Sequence, residues 1–208
     1  PMQFKNKIIT INPLTKKKTY NIKANDKSNS KFTLLVVGGS QGASIFNGNL
    51  KNSIVKISKK NRLRIIQQTN ENNISDLTEF YSKNNIENKI FSFDKNIFNS
   101  IQQADLCITR AGASTLAEFS IMSIPFIAVP LPTAKDNHQF ENANYYKNLD
   151  CCWLLEQSKF EDTIEALLEE ILNNKSDYQK KKENLKKLNY QNTWINVNQK
   201  ILKVINEN

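Results

Sequence analysis

Apolar residues in this chain fall in short runs of strand length. Each run is followed by a polar or small-residue turn and then by apolar positions at helical spacing. The runs predict strands at Lys31–Val37, Leu63–Gln67, Lys89–Phe93, Leu106–Thr109, Pro125–Val129 and Cys151–Leu155. Helices are predicted over about Ala43–Ser58, Ser75–Lys83, Asn96–Gln103, Phe160–Leu172, Asp177–Leu188 and Thr193–Ile205. Another starts at Ser114 or Thr115 and ends before Pro125, and a polar one starts at Asp136. Strand, loop and helix alternate without an internal repeat, which predicts an α/β fold with a doubly wound parallel sheet, strand order 3-2-1-4-5-6. The first thirty residues are weakly patterned: Lys7–Ile11 reads as a short strand stopped by Pro13, and Ala24–Lys31 as a polar linker.

In such sheets ligands sit outside the carboxyl ends of the strands, at the point where the strand order reverses. That point lies between the first and fourth strands. It brings the turn Gly38-Gly39-Ser40-Gln41-Gly42-Ala43 beside the turn Arg110-Ala111-Gly112-Ala113, the arrangement of a single phosphate site. A glycine-rich turn between strand and helix lets backbone N–H groups approach an anion, and Ser40 adds a hydroxyl donor. Neither the dinucleotide G-x-G-x-x-G pattern nor the Walker Gly-Lys-Ser/Thr pattern is met, which sets aside dinucleotide oxidoreductases and P-loop NTPases. His138 is the sole histidine, and its two readings are general base or ligand positioning.

Composition narrows the picture further. A chain of 208 residues with 39% apolar residues suits one large domain with extensions. No apolar run reaches the roughly 18 residues of a membrane-spanning helix, and no signal peptide is expected. The three cysteines, Cys107, Cys151 and Cys152, lie in or beside predicted strands without metal-ligand spacing, so reduced buried thiols are expected. The net charge of +9 is mostly Lys spread over solvated faces. The cluster Lys180-Lys181-Lys182 with Lys186 and Lys187 is a candidate contact for anionic lipid.

The turn GGSQGA at 38–43, the segment ADLCITRAGASTLAEF at 104–119 and PFIAVPLPTAKDNHQFENA at 125–143 together resemble the MurG family. These are bacterial glycosyltransferases that move N-acetylglucosamine from UDP-GlcNAc onto lipid I, giving lipid II. The resemblance covers the C-terminal half of that family, from about Lys31 onward. It implies a Rossmann-like C-terminal domain of the two-domain GT-B architecture, and inverting transfer without a metal or other cofactor. No Asp-x-Asp pair occurs in the chain. It further implies a donor site in which Glu118 grips the ribose hydroxyls. Ala113, Ser114 and Thr115 open a helix facing the pyrophosphate, and Gly39, Ser40 and Gln41 form the opposite phosphate wall. Gln139 binds sugar hydroxyls with Asn142 one turn on, His138 positions the donor, and the backbone at Asp94 reads the uracil edge. Arg110 either orients its loop or touches the ligand. Thr15 stands where the family carries an arginine after Asn-Pro-hydrophobic, with Lys16 within reach of the same place.

The resemblance also implies three segments: residues 1–30 as an interdomain linker, 31–190 as the UDP-sugar domain, and 191–208 as a helix crossing to a preceding acceptor domain. That absent domain would hold lipid I and the catalytic base. The partners implied are UDP-GlcNAc and lipid I, with no nucleic acid, at the cytoplasmic face of the inner membrane. Other readings are the donor-binding subunit of a two-subunit N-acetylglucosaminyltransferase, a UDP-sugar 2-epimerase, and a nucleic-acid-binding protein suggested by charge alone.

Overall fold

A computed structural model describes residues 31–39, 44–95, 97–188 and 194–206, apart from the side chains of Trp194 and Asn196. Ser40 and Gln41, the expected strand at Lys7–Ile11, Thr15 and Lys16 lie outside the described residues.

Six strands form one sheet: β1 (Phe32–Val37), β2 (Leu63–Gln68), β3 (Glu87–Phe91), β4 (Leu106–Thr109), β5 (Phe126–Ala128) and β6 (Cys152–Leu154). Their order is β3-β2-β1-β4-β5-β6 and every pairing is parallel, as the sequence pattern predicts. The helices are α1 (Leu50–Ser58), α2 (Ile74–Lys83), α3 (Ile97–Gln103), α4 (Ala113–Ile121), α5 (His138–Asn148), α6 (Phe160–Asn173), α7 (Lys175–Leu188) and α8 (Trp194–Asn206). Among the described residues no helix is long and apolar enough to cross a membrane.

The alternation of side chains along β1 divides the core in two. Leu34 and Val36 join the cluster under α1, α2 and α6, with Ile54, Leu77, Tyr81, Ile164 and Leu168. Leu35 and Val37 join the cluster under α3, α4, α5 and α7, with Ile101, Leu116, Phe119, Tyr146 and Leu185. A strand covered on both faces is apolar throughout rather than alternating, which is why β1, β4 and β5 read as continuous apolar runs.

Four elements depart from the sequence-based expectation by two residues or more; among them α5, expected from Asp136, begins at His138, and α7, expected from Asp177, begins at Lys175. The helix expected from Ala43 begins only at Leu50, after a 3-10 turn at Ser44–Asn47 and a turn through Gly48 and Asn49. Gly and Asn are both poor helix formers, and they break the run there. The third strand lies two residues earlier than expected. Its register is set by β2, which ends with Gln68 opposite Phe91, so Phe93 passes into solvent at 76% exposure.

The cysteines are free and buried, as expected. Burial pushes the Cys107 thiol well above its ordinary value, Cys151 up to about 11 and Cys152 up to about 12. The lysine cluster on α7 is only partly a solvated face. Lys181 is buried, bonded to Asp150 and Asp177, and lies over the Trp153 ring, while Lys180 pairs with Asp150 at 2.8 Å. Lys181 is therefore an anchor holding α7 against the turn before β6 and is closed to a lipid headgroup.

Candidate functional site

The site is laid out by the central pair of strands. β1 and β4 are neighbours with Val37 opposite Thr109, so the chain leaves both strands at the same height. The Arg110 N–H donates back to the Val37 carbonyl at 3.4 Å, which ties the two exits together. Gly39 then turns through φ +77°, a left-handed conformation open to glycine at little cost. On the facing side Gly112 is the N-cap of α4, with an extended backbone and no side chain to cap the helix. The first turn of α4 holds no acidic residue, so its free N–H groups and positive dipole end stay open to an anion. Ala113, Ser114 and Thr115 form that first turn, with Ser114 exposed and the other two half-buried. Glu118 follows on the same helix, half-buried, with its own interactions already in place.

The β4–α4 turn is braced by α5. Gln139 Oε1 accepts from Ala111 N at 3.2 Å and from Leu131 N at 3.0 Å, so one side chain joins the loops after β4 and β5. Asn142, one helical turn on, donates Nδ2 to the Ala111 carbonyl at 3.0 Å. The peptide groups at Ala111 are thus held on both the N–H and the C=O side. With Oε1 taken up by two backbone N–H groups, the Nε2 amide is the remaining donor of Gln139.

α5 gets its entry angle from two consecutive left-handed residues, Asp136 at φ 51° and Asn137 at φ 54°. Asp and Asn are the non-glycine residues that tolerate this region best. His138 follows as the first residue of α5, exposed, its Nδ1 at 2.7 Å from the Lys135 carbonyl. A carbonyl only accepts, so Nδ1 carries the hydrogen and Nε2 is the free acceptor of the neutral ring.

Arg110 joins several loops of the site. Its Nη1 donates to the Val129 and Pro130 carbonyls, each at 3.3 Å, and its Nη2 to Gln157 Oε1 at 2.6 Å. Its guanidinium carbon lies 5.6 Å from the centre of the Phe46 ring. Loops after β1, β4, β5 and β6 therefore meet on one cation. Burial pulls this guanidinium below its ordinary pKa, and it stays charged at any physiological pH.

The loop after β3 has its own clamp. Asp94 is half-buried, and its Oδ2 lies 3.3 Å from both Lys89 Nζ and Ser100 Oγ. The carboxylate thus ties the loop to β3 and α3, beside the exposed Phe93.

Of the residues expected from sequence, the structure brings Gly39, Arg110, Ala113, Ser114, Thr115, Glu118, His138, Gln139 and Asn142 to the carboxyl edge of the sheet. Asp94 lies at that edge two strands away, after β3. Gln157 was missed. It lies 47 residues from Arg110 in sequence, and nothing in its own neighbourhood marks it. Asn47 was missed as well. Its Oδ1 accepts from Thr69 Oγ1 at 3.1 Å and from Gln67 Nε2 at 3.3 Å, fixing the far end of the glycine-rich segment to β2.

Residues 33–193 match the glycosyltransferase family 28 C-terminal domain. The chain belongs to this family. It is 48% identical over its whole length to the UDP-N-acetylglucosamine--N-acetylmuramyl-(pentapeptide) pyrophosphoryl-undecaprenol N-acetylglucosamine transferase of Pelagibacter ubique (strain HTCC1062), covering 59% of that protein. The transferase of the same name from Rickettsia canadensis (strain McKiel) is 38% identical over 159 residues, which is 74% of this chain and 45% of that one. The family 28 chain thus spans about half the length of these relatives. In fold it is similar to the crystal structure of Acinetobacter baumannii MurG, with a TM-score of 0.73 at 23% identity, over 87% of this chain and 51% of that one. It is also similar in fold to the C-terminal CMP-Kdo binding domain of WaaA from Acinetobacter baumannii, with a TM-score of 0.53 at 7% identity, over 76% of this chain and 90% of that one.

Proposed function

We propose that this chain is the donor-binding half of a transferase that moves N-acetylglucosamine from UDP-GlcNAc to lipid I in peptidoglycan synthesis. The observation that carries the reading is the paired exit of β1 and β4, with the left-handed Gly39 turn on one side and the open N-terminus of α4 on the other. The names of the relatives supply the sugar and the acceptor. In this reading Ser40 and Gln41 complete the phosphate wall, Glu118 takes the ribose hydroxyls, and the loop at Asp94 reads the uracil edge. Gln139 takes the sugar through Nε2, and Asn142 and His138 set the donor loop. As the acceptor hydroxyl attacks the anomeric carbon, the bond from that carbon to the diphosphate oxygen breaks. The new charge on UDP is met by the α4 N–H groups and Arg110. The proton of the acceptor passes to a base on the acceptor-binding side, outside residues 31–206.

Residues 1–30 and α8 then belong to the junction with that acceptor domain, and the enzyme works at the cytoplasmic face of the inner membrane. α8 presents Ile195, Ile201, Leu202 and Ile205 at 43–66% exposure, in keeping with such a junction.

Calorimetry tests the reading. The chain binds UDP and UDP-GlcNAc, and alone it does not turn over lipid I. Glu118→Ala weakens UDP by about 1.5–3 kcal/mol, the range for hydrogen bonds to a charged group. Undiminished UDP affinity in that variant rejects the ribose assignment, and unaided turnover rejects the division of labour between the halves.

A further inference from the structure

The fold treats Lys181, which is buried, and Arg110, which is half-buried, differently. Lys181 is paired with two carboxylates, Asp150 and Asp177. Arg110 is met by two carbonyls, one carboxamide and one aromatic face, and among the described residues by no carboxylate. A desolvated charge without a counter-ion is costly to keep, while neutral acceptors satisfy its N–H groups without cancelling its field. Arg110 stands at the first residue after β4, where the sheet order reverses and the α4 N-terminus opens.

We propose that Gln157 is a positioning residue that aims the Arg110 guanidinium and, by being neutral, reserves its charge for the diphosphate of the donor. This rests on the donor-binding reading above. Gln157 sits just after β6, in a 3-10 turn at Gln157–Lys159, and its Oε1 is the shortest contact that Arg110 makes, at 2.6 Å. The carboxamide holds the fork of the guanidinium against the β5 loop while adding no net charge. A carboxylate of the same shape would hold the fork equally well and spend the charge.

That difference is the test. The 208-residue chain and its Gln157→Glu and Gln157→Met variants are titrated with UDP, inorganic pyrophosphate and uridine, followed by NMR chemical shifts. Gln157→Glu weakens UDP and pyrophosphate by about tenfold, as expected for cancelling one charge near a partly exposed anion. It leaves uridine unchanged, and its Tm is at or above that of the parent. Gln157→Met, which loses the bond and adds no charge, weakens UDP by at most about threefold, because Arg110 keeps its two carbonyls. UDP binding to the parent also falls more steeply with NaCl than binding to Gln157→Glu.

The assignment is overturned if Gln157→Glu weakens uridine as much as UDP, if Gln157→Met matches Gln157→Glu, or if neither phosphate ligand responds. Pyrophosphate binding that Gln157→Glu weakens, in a parent that ignores UDP, would overturn the nucleotide-donor reading and leave the Gln157 assignment standing. UDP binding untouched by Gln157→Glu does the reverse. A parent that binds no phosphate ligand removes the assignment.

Discussion

Gln139→Ala strands two backbone donors at once. Ala111 N and Leu131 N both donate to Gln139 Oε1, at 3.2 and 3.0 Å, and Ala111 is fully buried. A neutral hydrogen bond contributes about 0.5–1.5 kcal/mol net, so the pair contributes about 1–3 kcal/mol. In a domain of this size each kcal/mol moves Tm by about 2–4 °C. The expected loss is therefore about 2–12 °C, far more than a half-exposed helix residue ordinarily costs. Gln139→Glu keeps an oxygen at the same place, so it regains most of this stability while losing the Nε2 donor. Urea and thermal unfolding of the three proteins, followed by circular dichroism, measure the effect. The argument fails if Gln139→Ala unfolds with the parent, or if Gln139→Glu unfolds as early as Gln139→Ala. Ligand titration adds a second reading. On the donor-binding reading proposed above, the strut shapes both the phosphate loop and the sugar pocket, so Gln139→Ala weakens UDP too, and UDP-GlcNAc more.

Two further outcomes follow from buried polar contacts. Tyr81→Phe removes the hydroxyl that donates to the fully buried Gln67 Oε1 at 2.8 Å and costs about 1–3 kcal/mol in urea unfolding; an unchanged midpoint would show that water replaces it. Lys180 and Lys181 hold the Asp150 carboxyl below its ordinary range. A lowered folded pKa stabilises above the unfolded value of about 3.9, and that stability is lost as pH falls through the folded value. Asp150→Asn therefore flattens the acid limb of the stability curve, and an unaltered limb in pH-dependent unfolding rejects the pairing.

The order and sense of the strands were legible because burial on both faces writes itself into sequence as unbroken apolar runs. β3 was less so. It is an edge strand, and its limits come from the length of β2 rather than from its own residues, which is why Phe93 looked like strand and is solvent-exposed. Within the site, the turns after β1 and β4 and the start of α4 were legible from glycine and small residues, whereas the helix expected from Ala43 begins at Leu50 and the one expected from Asp136 begins at His138. The contacts between turns were not legible. Arg110 reaches Gln157 across 47 residues, and Gln139 reaches Ala111 across 28, and neither pairing leaves a local pattern.

The placement of β1 in the middle of the sheet also sets a timetable for the nascent chain. β1, β2 and β3 lie within residues 32–91 and pair in sequence, so one side of β1 is satisfied early in synthesis. Its other side takes β4, whose Thr109 is made 72 residues after Val37. At about 5–20 residues per second the ribosome takes roughly 4–14 s to cover that distance. For that interval the backbone donors and acceptors of Leu34–Val37 on that side have no native partner, next to the apolar faces that β4 later helps to cover. Slow translation between residues 38 and 109 lengthens this exposure.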